Sequence, residues 1–399
     1  MSPIPKIAII GAGPAGLALA RILHVNGIAS IIFEKKQSLK DHNTMGGTLD
    51  LHEGSGQEAI REAKLWNQFQ KHARYDGQAY VISDETGARL VDIEGADLGR
   101  PEIDRPLLSQ MFLGSIPSES FRWGHKVTRV DEDGTLHFDT PNKADSGFDL
   151  IVGADGAWSK VRQLVCHVPP FYSGISGYEM RIKNPDLEFP DVSVEVGNGS
   201  YMAFGNGDEK SLSLQRQSDR SIRVYTFMRK SESWLLKNGV DPTDQDAAKE
   251  AILKEYEHWA PIQKRMINVT EGPIIPRALY MLPVGLRWLH RPKITLIGDA
   301  AHLMTPFAGE GVNVALHDAL LLARKIISGY EQIDHAVEEY EQEMFPRAEA
   351  FTKATWDSLQ ARFEKGGNDQ LKARFAKVAE DHANGVAVKD GSKSDDLWL

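Results

Sequence analysis

The stretch that most constrains the fold lies near the amino end, where residues 6–20 read KIAIIGAGPAGLALA. This apolar run is broken by Gly11, Gly13 and Gly16, which predicts a buried strand, a glycine turn and a helix in that order. Gly11 allows a tight turn, Gly13 lets a ligand pyrophosphate approach bare backbone, and Gly16 lets the helix pack closely on the sheet. Free N–H groups and the positive dipole end at the helix start then predict an anion site.

A second apolar strand over residues 29–33 ends in Glu34, and this order favours a dinucleotide site. An acidic side chain about 20 residues beyond the glycines is where such sites hold a ribose hydroxyl pair. The alternative is a buried strand and helix whose glycines are incidental. A signal peptide is a poor explanation, because the run contains Pro14 and leads directly into a second strand. No apolar stretch reaches the roughly eighteen residues of a membrane span.

The composition excludes several classes of partner. The chain has 399 residues and a formal net charge of -10, whereas nucleic-acid and anionic-membrane partners need a concentrated positive field. The single cysteine, Cys166, excludes an internal disulfide and a cysteine-cluster metal site. We therefore expect no metal and a reducing, cytoplasmic setting, and we expect a monomer. Cys166 is either a reactive thiol or a small core hydrophobe.

Two later segments also contain a short buried strand that ends in glycine and aspartate. In residues 149–162 the strand ends in GADG, which includes Asp155, and a helix is predicted to follow. In residues 294–313 the strand ends in Gly-Asp299, and a loop of small residues leads to an amphipathic helix over 311–328. Asp299 is at the carboxyl end of its strand, where open α/β sheets bind ligands.

The residues between these two segments have a different character. Short, alternating, turn-bounded runs predict the strands of an antiparallel sheet. These runs are residues 177–182, 192–196, 200–205, 211–216 and 222–229. A hairpin over residues 78–93 is expected to join them, because two alternating runs flank the turn DETG. Alternation leaves one face for a ligand and one for packing, so we expect a substrate domain here.

Helices and one further strand are predicted elsewhere. The helices cover a segment from Ser55 or Gln57 to about Phe69, a segment that begins near Asp104, residues 244–259, residues 333–359 with a kink at Pro346, and residues 370–382, while residues 279–283 form the strand. Arg105 in a first helical turn opposes the helix dipole, so we expect it to have a partner beyond its helix. The polar tail from residue 384 is expected to be disordered.

Three motifs now coincide: the glycine turn with Glu34, the GADG segment at 153–156, and Gly298-Asp299 with the loop PFAGEG at 306–311. Together they resemble the class A, single-component flavin monooxygenases of the aromatic-hydroxylase type, over residues 4–330. The resemblance implies an α/β fold with a Rossmann-like FAD-binding domain of the p-hydroxybenzoate hydroxylase type, an antiparallel-sheet substrate domain and C-terminal helices.

Within that group, the segments GGTLDLH at 46–52 and GSGQEA at 54–59 look most like the TetX-type tetracycline destructases. The implied domains are a discontinuous FAD-binding domain at 1–75, 98–172 and 277–330, a substrate domain at 76–97 and 173–276, C-terminal helices at 331–383 and a tail at 384–399.

The resemblance implies a cofactor, two co-substrates and a reaction. FAD would be bound noncovalently in an extended form. NADPH, with NADH as an alternative, would reduce it, dioxygen would react with the reduced flavin, and a hydroxyl would pass to an electron-rich ring or enol carbon. The substrate would be aromatic or polyketide-like, and tetracycline inactivation would be one such activity.

The resemblance also implies which residues hold the cofactor. They are Gly11, Gly13, Ala15, Gly16, Glu34, Lys35, Asp50, Arg105, Asp155, Asp299, Pro306, Gly309, Gly311, Val312 and Asn313. Asp50 alone is equally explained as a turn former. The helix that starts at Gly311 is expected to place N–H groups and a positive dipole end beside the flavin, so that it stabilises the negative charge of reduction. His302 is expected to be a structural hydrogen bonder rather than a catalytic base.

The substrate side departs from the destructases. The candidate substrate residues are Glu179, Met202, Phe204, Arg223, Pro306 and Phe307, with Met304 as a further candidate. In alignment by eye, Glu179, Ser200 and Arg223 replace residues associated with tetracycline, and Asn43 replaces an arginine associated with the nicotinamide phosphate. The alternative explanation of the apolar candidates is plain core, and that of Arg223 is a solvent-facing strand residue.

Rival functions remain, and one of them is another flavin oxidoreductase without tetracycline activity. A flavin halogenase would typically carry a Trp-x-Trp motif, and the sequence contains none. A binding protein that sequesters a ligand without turning it over would have no need of an intact Gly298-Asp299 motif and glycine loop.

Overall fold

The centre of the fold is a parallel sheet that the amino-terminal stretch helps to build. The structure is a computed structural model that describes residues 4–39, 41, 46–93 and 99–364. The strands are β1 Ile7–Ile10, β2 Ser30–Glu34, β3 Thr48–Asp50, β4 Tyr80–Asp84, β5 Arg89–Ile93, β6 Glu102–Asp104, β7 Phe121–Trp123, β8 Val127–Val130, β9 Leu136–Phe138, β10 Ala144–Asp145, β11 Leu150–Gly153, β12 Phe171–Ile182, β13 Ser200–Phe204, β14 Lys210–Arg216, β15 Ile222–Arg229, β16 Glu271–Met281 and β17 Ile294–Leu296. The helices are α1 Pro14–Val25, α2 Gly56–Glu62, α3 Trp66–Phe69, α4 Arg105–Leu113, α5 Pro185–Glu188, α6 Pro190–Val196, α7 Trp234–Lys237, α8 Gln245–Glu255, α9 Pro261–Asn268, α10 Asp299–His302, α11 Gly311–Gly329 and α12 Ile333–Phe363.

The parallel sheet has the strand order β17, β11, β1, β2, β7. Every residue of β1 is buried, as expected for a parallel strand that is covered on both faces. Helices α1 and α11 pack against each other beside it. Because parallel strands end at the same edge, the glycine turn after β1, the loop after β11 and the start of α10 after β17 come together there. This edge is where the α/β prediction places a ligand.

A second, seven-stranded sheet has the order β16, β12, β15, β14, β13, β4, β5. The predicted hairpin is confirmed, since β4 and β5 pair antiparallel. The prediction of a wholly antiparallel sheet is wrong at one pair, because β4 and β13 run parallel. These two strands are joined by a long connection through the first sheet rather than by a hairpin, so parallel pairing is open to them. Two smaller sheets pair β3 with β6, and β10 with β9 and β8.

One predicted strand is a helix. Residues 192–196 lie in α6, which begins at Pro190 with Asp191 in its first turn, as suits a helix start. Val192 and Val196 are buried whereas Val194 is 78% exposed. A spacing of four puts the two buried valines on one helical face, and alternation alone cannot distinguish this from a strand.

Other boundaries also differ from the predictions. The helix expected after Asp155 is a set of turns followed by a short 3₁₀ helix, Arg162–Leu164. The single helix expected from Ser55 or Gln57 to about Phe69 is two helices, α2 and α3, divided near Lys64, which has a positive φ of 56°. Of the strand expected at 279–283, residues 279–281 form the carboxyl end of the longer strand β16.

The carboxyl part is helical, as predicted. Helix α12 runs without interruption through Pro346. The predicted helix at 370–382, the tail from residue 384 and Asn43 lie outside the described residues. Within the described part, no helix is both long and apolar enough to cross a membrane. The domain boundaries given above stay predictions.

Candidate functional site

The glycine turn after β1 is shaped by its own packing. Gly11 has a φ of +107°, and a Cβ added there would lie 2.4 Å from the carbonyl oxygen of Ala154. A Cβ on Gly16 would lie 2.2 Å from the carbonyl oxygen of Gly11. By contrast, the nearest atom to a Cβ on Gly13 is the Ala154 oxygen at 4.0 Å. Packing therefore requires glycine at two positions, while the third leaves bare backbone accessible to a ligand.

The start of α1 is open to an anion. Gly13 is the N-cap and provides no side-chain cap, Pro14 occupies the first turn, and no acidic residue is present in that turn. The first N–H groups of a helix have no partner within the helix, so those around Ala15 are available. The sequence prediction of an anion site fits this geometry.

Glu34 is buried at the end of β2, and its carboxylate holds the glycine turn. Oε2 accepts a hydrogen bond of 2.8 Å from Ala12 N, and Oε1 accepts one of 3.0 Å from Lys36 N. A carboxylate has about four lone-pair directions, so two backbone bonds leave capacity for ribose hydroxyls. The neighbouring Lys35 is exposed.

Arg105 and Asp299 are close enough for the charge of Arg105 to act on the Asp299 carboxyl. Arg105 begins α4, and its side chain approaches within 3.1 Å of the position of a Cβ on Gly46. Its guanidinium forms no hydrogen bond or ion pair with any residue that the structure describes. Asp299 begins α10 and is exposed. Desolvation by the surrounding protein raises the pKa of its carboxyl group, and the charges of His302 and Arg105 only partly offset this effect. The sequence predicted a partner for Arg105 beyond its helix. No described side chain forms a hydrogen bond with its guanidinium, so that partner is not among the described side chains.

Asp155 follows β11 and is held by its own loop. Its Oδ2 accepts a 2.7 Å hydrogen bond from Lys160 N. Its Oδ1 is buried and has no hydrogen-bond partner among the described residues. Burial raises the pKa of Asp155, although hydrogen bonds from this loop lower it in part. An unsatisfied buried carboxylate oxygen is a position that a ligand donor would complete.

The loop before α11 and the segment after β3 are joined by one side chain. Pro306–Ala308 forms a 3₁₀ turn, and Gly309 follows in the left-handed conformation. Asn313, in the first turn of α11 with Val312, donates to Asp50 O at 3.0 Å and accepts from His52 N at 2.9 Å. This side chain positions the strand β3 against the start of α11.

A histidine that the sequence analysis did not single out is also part of this junction. His52 Nε2 lies 2.8 Å from Asp50 Oδ2, and His52 Nδ1 lies 3.2 Å from Glu310 Oε1. Burial disfavours the imidazolium, but the two carboxylates more than offset it and raise the pKa of His52 to about 9. Burial would raise the pKa of Asp50, and His52 lowers it.

The second sheet directs charged side chains from three strands towards one another. Glu179 on β12 is 2% exposed. Its Oε1 accepts from Arg223 Nη1 at 2.7 Å, and its Oε2 accepts from Arg277 Nη2 at 2.6 Å. The predicted Glu179 and Arg223 are thus direct partners, and Arg223 is not a free solvent-facing residue. Arg277 was missed, because only the pairing of β16 with β12 brings it there.

Aromatic side chains line the same face and connect it to the loop before α11. Tyr225 and Phe227 alternate with buried residues along β15, and their rings stack at 6.0 Å. Phe227 in turn meets Phe307 edge-on at 5.3 Å. The Tyr225 hydroxyl lies 2.9 Å from the position of a Cβ on Gly47. Burial, with the charge of Glu179, raises the pKa of Tyr225 to about 12.

The remaining substrate candidates are not all on this face. Phe204 is buried with Ile82 and Val91, and the Arg362 guanidinium lies 4.9 Å from its ring centroid. Met202 packs against the same cluster. Pro306 is exposed and Met304 is partly buried. Of the candidates, the structure brings Glu179, Arg223 and Phe307 to one region and places Phe204 in a core cluster.

His302 has the structural environment that was expected, with a partner that sequence spacing did not show. Its Nε2 hydrogen-bonds Asp318 Oδ2, which also accepts from Gly298 N at 2.8 Å. His302 Nδ1 is buried without a hydrogen-bond partner in the described part of the chain. No group of three or more metal-ligating side chains occurs among the described residues.

Comparison with known proteins identifies the family to which the chain belongs. The family described as FAD binding domain matches residues 5–355. The chain is 32% identical to "Monooxygenase penA" of Penicillium thymicola, over 91% of this chain and 96% of that protein. The structure resembles HpxO of Klebsiella pneumoniae, solved with FAD and uric acid, with a TM-score of 0.78, 21% identity and 96% of each chain covered.

The resemblance to tetracycline destructases extends to the fold. Tet(51) superimposes with a TM-score of 0.68 and 18% identity, over 96% of this chain and 98% of that one. This similarity does not single out the destructases, because HpxO has a higher TM-score. The family match over most of the chain and the identity to a monooxygenase are decisive, and they show that the chain belongs to the class A FAD-binding monooxygenases and is a flavin-dependent monooxygenase.

Proposed function

We propose that this monooxygenase uses NADPH or NADH and dioxygen to hydroxylate an aromatic or polyketide-like small molecule that carries an acidic oxygen. The observation that carries this proposal is the cluster of Glu179 with Arg223 and Arg277 on the aromatic face of the second sheet. One carboxylate paired with two guanidinium groups leaves one net positive charge. Such a site favours a phenolic or enolic oxygen that can share the negative charge.

The cofactor side fits an extended FAD. The residues that would hold its adenosine and pyrophosphate are those around the open backbone of Gly13, the Glu34 carboxylate and the Arg105 guanidinium, which has no hydrogen-bond or ion-pair partner among the described residues. Asp299 and the buried oxygen of Asp155 would complete the cleft towards the flavin. FAD supplies the redox chemistry when bound, so the chain needs no acid, base and nucleophile triad of its own.

The chain's own contribution is to bind, orient and exclude water. The first-turn N–H groups of α11 have no partner within the helix, and Glu310 at the N-cap forms no side-chain cap. They would stabilise negative charge at this point. Tyr225, Phe227 and Phe307 present ring faces and edges for a flat substrate to pack against.

Tetracyclines and oxygen-rich heterocycles are the first substrates to test. Tetracyclines are polycyclic, carry enols and match the resemblance in the amino-terminal segments. Uric acid, with which HpxO was solved, is also a flat acid with several oxygens. A ligand-sequestering protein is the competing function, and it would bind such molecules without consuming dioxygen.

The test is the oxidation of NADPH and of NADH by the purified, FAD-loaded protein in the presence of tetracyclines, anthraquinones, phenols and urate. We expect at least one compound to stimulate oxidation, with a product heavier by one oxygen in mass spectrometry. Hydrogen peroxide is measured in parallel, because stimulated oxidation with peroxide and no product identifies an effector rather than a substrate. Binding without any oxidation would favour sequestration, and a protein that takes up no FAD would contradict the proposal.

A further inference from the structure

Three ionisable side chains form a line at the start of α11. Asp50 ends β3, His52 lies two residues later, and Glu310 is the N-cap of α11. His52 contacts both carboxylates, one through each ring nitrogen. The side chains of His52 and Glu310 are 8% and 3% exposed, and that of Asp50 is 32% exposed. The line therefore runs from the cleft into the protein.

Glu310 places a carboxylate at the start of α11, where the proposed function requires a positive potential beside the reduced flavin. A carboxylate at the start of a helix offsets the positive potential of the free N–H groups. That potential is what the start of α11 would offer to a reduced flavin under the proposed function. A cation in contact with Glu310 would restore it.

We propose that His52 is a positioning residue that is held as an imidazolium between Asp50 and Glu310, and that its charge sets the reduction potential of FAD at the start of α11. This inference rests on the proposed use of FAD. His52 acts through Glu310 and the helix start, and the proposal does not require it to touch the flavin.

Groups of both signs face Asp50 and His52 from the neighbouring elements, and only Asp50 and Glu310 directly favour the charged form of His52. Besides Asp50 and Glu310, the neighbouring strand β6 contributes Glu102, whose own pKa is raised to about 8 by burial and by the charge of Asp50. Arg74 lies 3.8 Å from Glu102, and the charge of Arg100 also acts on Asp50. The side chain of Asn313, which is neutral, holds the backbone of this segment.

Both ring nitrogens of His52 have a carboxylate within hydrogen-bonding distance, and this geometry carries the argument. A neutral imidazole has one N–H donor, so it can donate to only one carboxylate, whereas the imidazolium donates to both. Loss of the proton would leave one buried carboxylate oxygen facing a lone pair. The raised pKa of His52 has the same physical cause.

The net charge of Asp50, His52 and Glu310 predicts that substitutions of His52 and Glu310 shift the flavin reduction potential in opposite directions. The three groups together carry one negative charge when His52 is protonated. His52→Gln adds one negative charge to this total, Glu310→Gln removes one, and the double variant restores the original value. We therefore expect the flavin potential to fall in His52→Gln, to rise in Glu310→Gln and to return towards wild type in the double variant. A change of about tenfold in the reduction equilibrium is expected for each single variant, which is about 30 mV for a two-electron couple.

The potentials are measured on the FAD-loaded protein by equilibration with a reference dye. His290→Gln is the matched control, because His290 also contacts a buried carboxylate, Glu341 Oε2 at 2.9 Å, in another part of the protein. We expect its flavin potential to equal that of wild type. Shifts of the same sign in both single variants, or shifts as large in His290→Gln, would overturn the proposal, since they would reflect a general structural effect.

A second measurement separates this inference from the proposed function. Side-chain ¹⁵N NMR of histidine reports the protonation of His52 directly, with or without FAD. A doubly protonated ring at pH 7.5 supports the imidazolium, and a neutral tautomer at that pH overturns it. A protein that binds no FAD overturns the proposed function and the effect on potential together, while the NMR result still decides the charge state of His52.

Discussion

Arg347 Nη2 on α12 donates to Asp318 Oδ1 on α11 at 2.8 Å. The other oxygen of Asp318 accepts from His302 and from Gly298 N, so one carboxylate joins α11 and α12 to the short helix α10, which Asp299 begins. Asp318 is fully buried. Burial would raise the pKa of Asp318, but His302 and then Arg347 lower it to about 2. The long carboxyl-terminal helix is thereby fastened to the candidate cofactor site.

Asp318→Asn should destabilise the protein by about 3 to 5 kcal/mol, because it removes the carboxylate that pairs with the buried His302 and the partly buried Arg347. The folded pKa lies below the usual value, so the carboxylate contributes stability above about pH 4 and loses it as pH falls towards 2. Urea unfolding of both proteins should therefore show a stability gap that narrows over that range. Asp357→Asn is the control, since the Lys353–Asp357 pair is exposed and should matter by at most about 1 kcal/mol. An equal loss in both variants would contradict this account of Asp318.

Alanine substitutions at two glycines should separate folding from cofactor binding. Gly11→Ala combines a positive φ with a 2.4 Å contact, so we expect a loss of about 2 kcal/mol or more in urea unfolding of the apoprotein. Gly13→Ala has ordinary backbone angles and no contact closer than 4.0 Å, so stability should change by less than about 0.5 kcal/mol. FAD titration by fluorescence quenching should nevertheless show weaker binding by Gly13→Ala. Unchanged FAD affinity there would mean that no ligand approaches this backbone.

The elements that local pattern determines were predictable from the sequence. The strand, glycine turn and helix at the amino end obey steric rules within about ten residues, and the clash that Gly11 avoids is the one expected of a tight turn. Alternation also identified strands such as β15, because one of its faces is fully buried and the other is mostly only partly buried. It failed at α6, where buried Val192 and Val196 suit a helix as well as a strand.

The side-chain partnerships of the site were not predictable in this way. His52 and Glu310 are 258 positions apart, and Glu179 reaches Arg277 only because β16 returns to pair with β12. Spacing along the chain carries no information about such contacts. The motif that contains Glu310 was recognised from the sequence. Roles were predicted for its glycines, but none was predicted for the Glu310 carboxylate. A buried histidine between two acids is visible only once the strands and helices are assembled.

Arg105→Met should weaken FAD binding without unfolding the protein. The guanidinium has no hydrogen-bond or ion-pair partner among the described residues, so its loss should change stability by less than about 0.5 kcal/mol. A charge-assisted contact to a pyrophosphate is worth roughly 1.5 to 3 kcal/mol, which corresponds to about a 10- to 150-fold increase in the Kd for FAD. Arg287→Met, which removes a guanidinium paired with Glu349 at 2.8 Å on the surface, is the control. Equal Kd values for Arg105→Met and wild type would remove Arg105 from the cofactor site.

Glu102→Gln should make the apoprotein more stable at alkaline pH. Burial and the charge of Asp50 raise the pKa of Glu102 to about 8, and one of its oxygens is buried without a hydrogen-bond partner in the described part of the chain. The folded state thus binds more protons than the unfolded state between about pH 4.5 and 8, so the stability of wild type falls as pH rises through this window. Glutamine has no proton to lose there, and the stability difference at pH 9 should reach about 3 to 5 kcal/mol in favour of the variant.

Urea unfolding of Glu102→Gln and wild type at several pH values between 4.5 and 9 checks this expectation. Glu331→Gln is the matched control, because Glu331 is exposed and its substitution should not alter the pH dependence. If the curves of Glu102→Gln and wild type run parallel over the whole window, Glu102 ionises normally and the carboxylates around His52 carry more negative charge than the contacts imply. The same experiment therefore tests the charge environment on which the role of His52 depends.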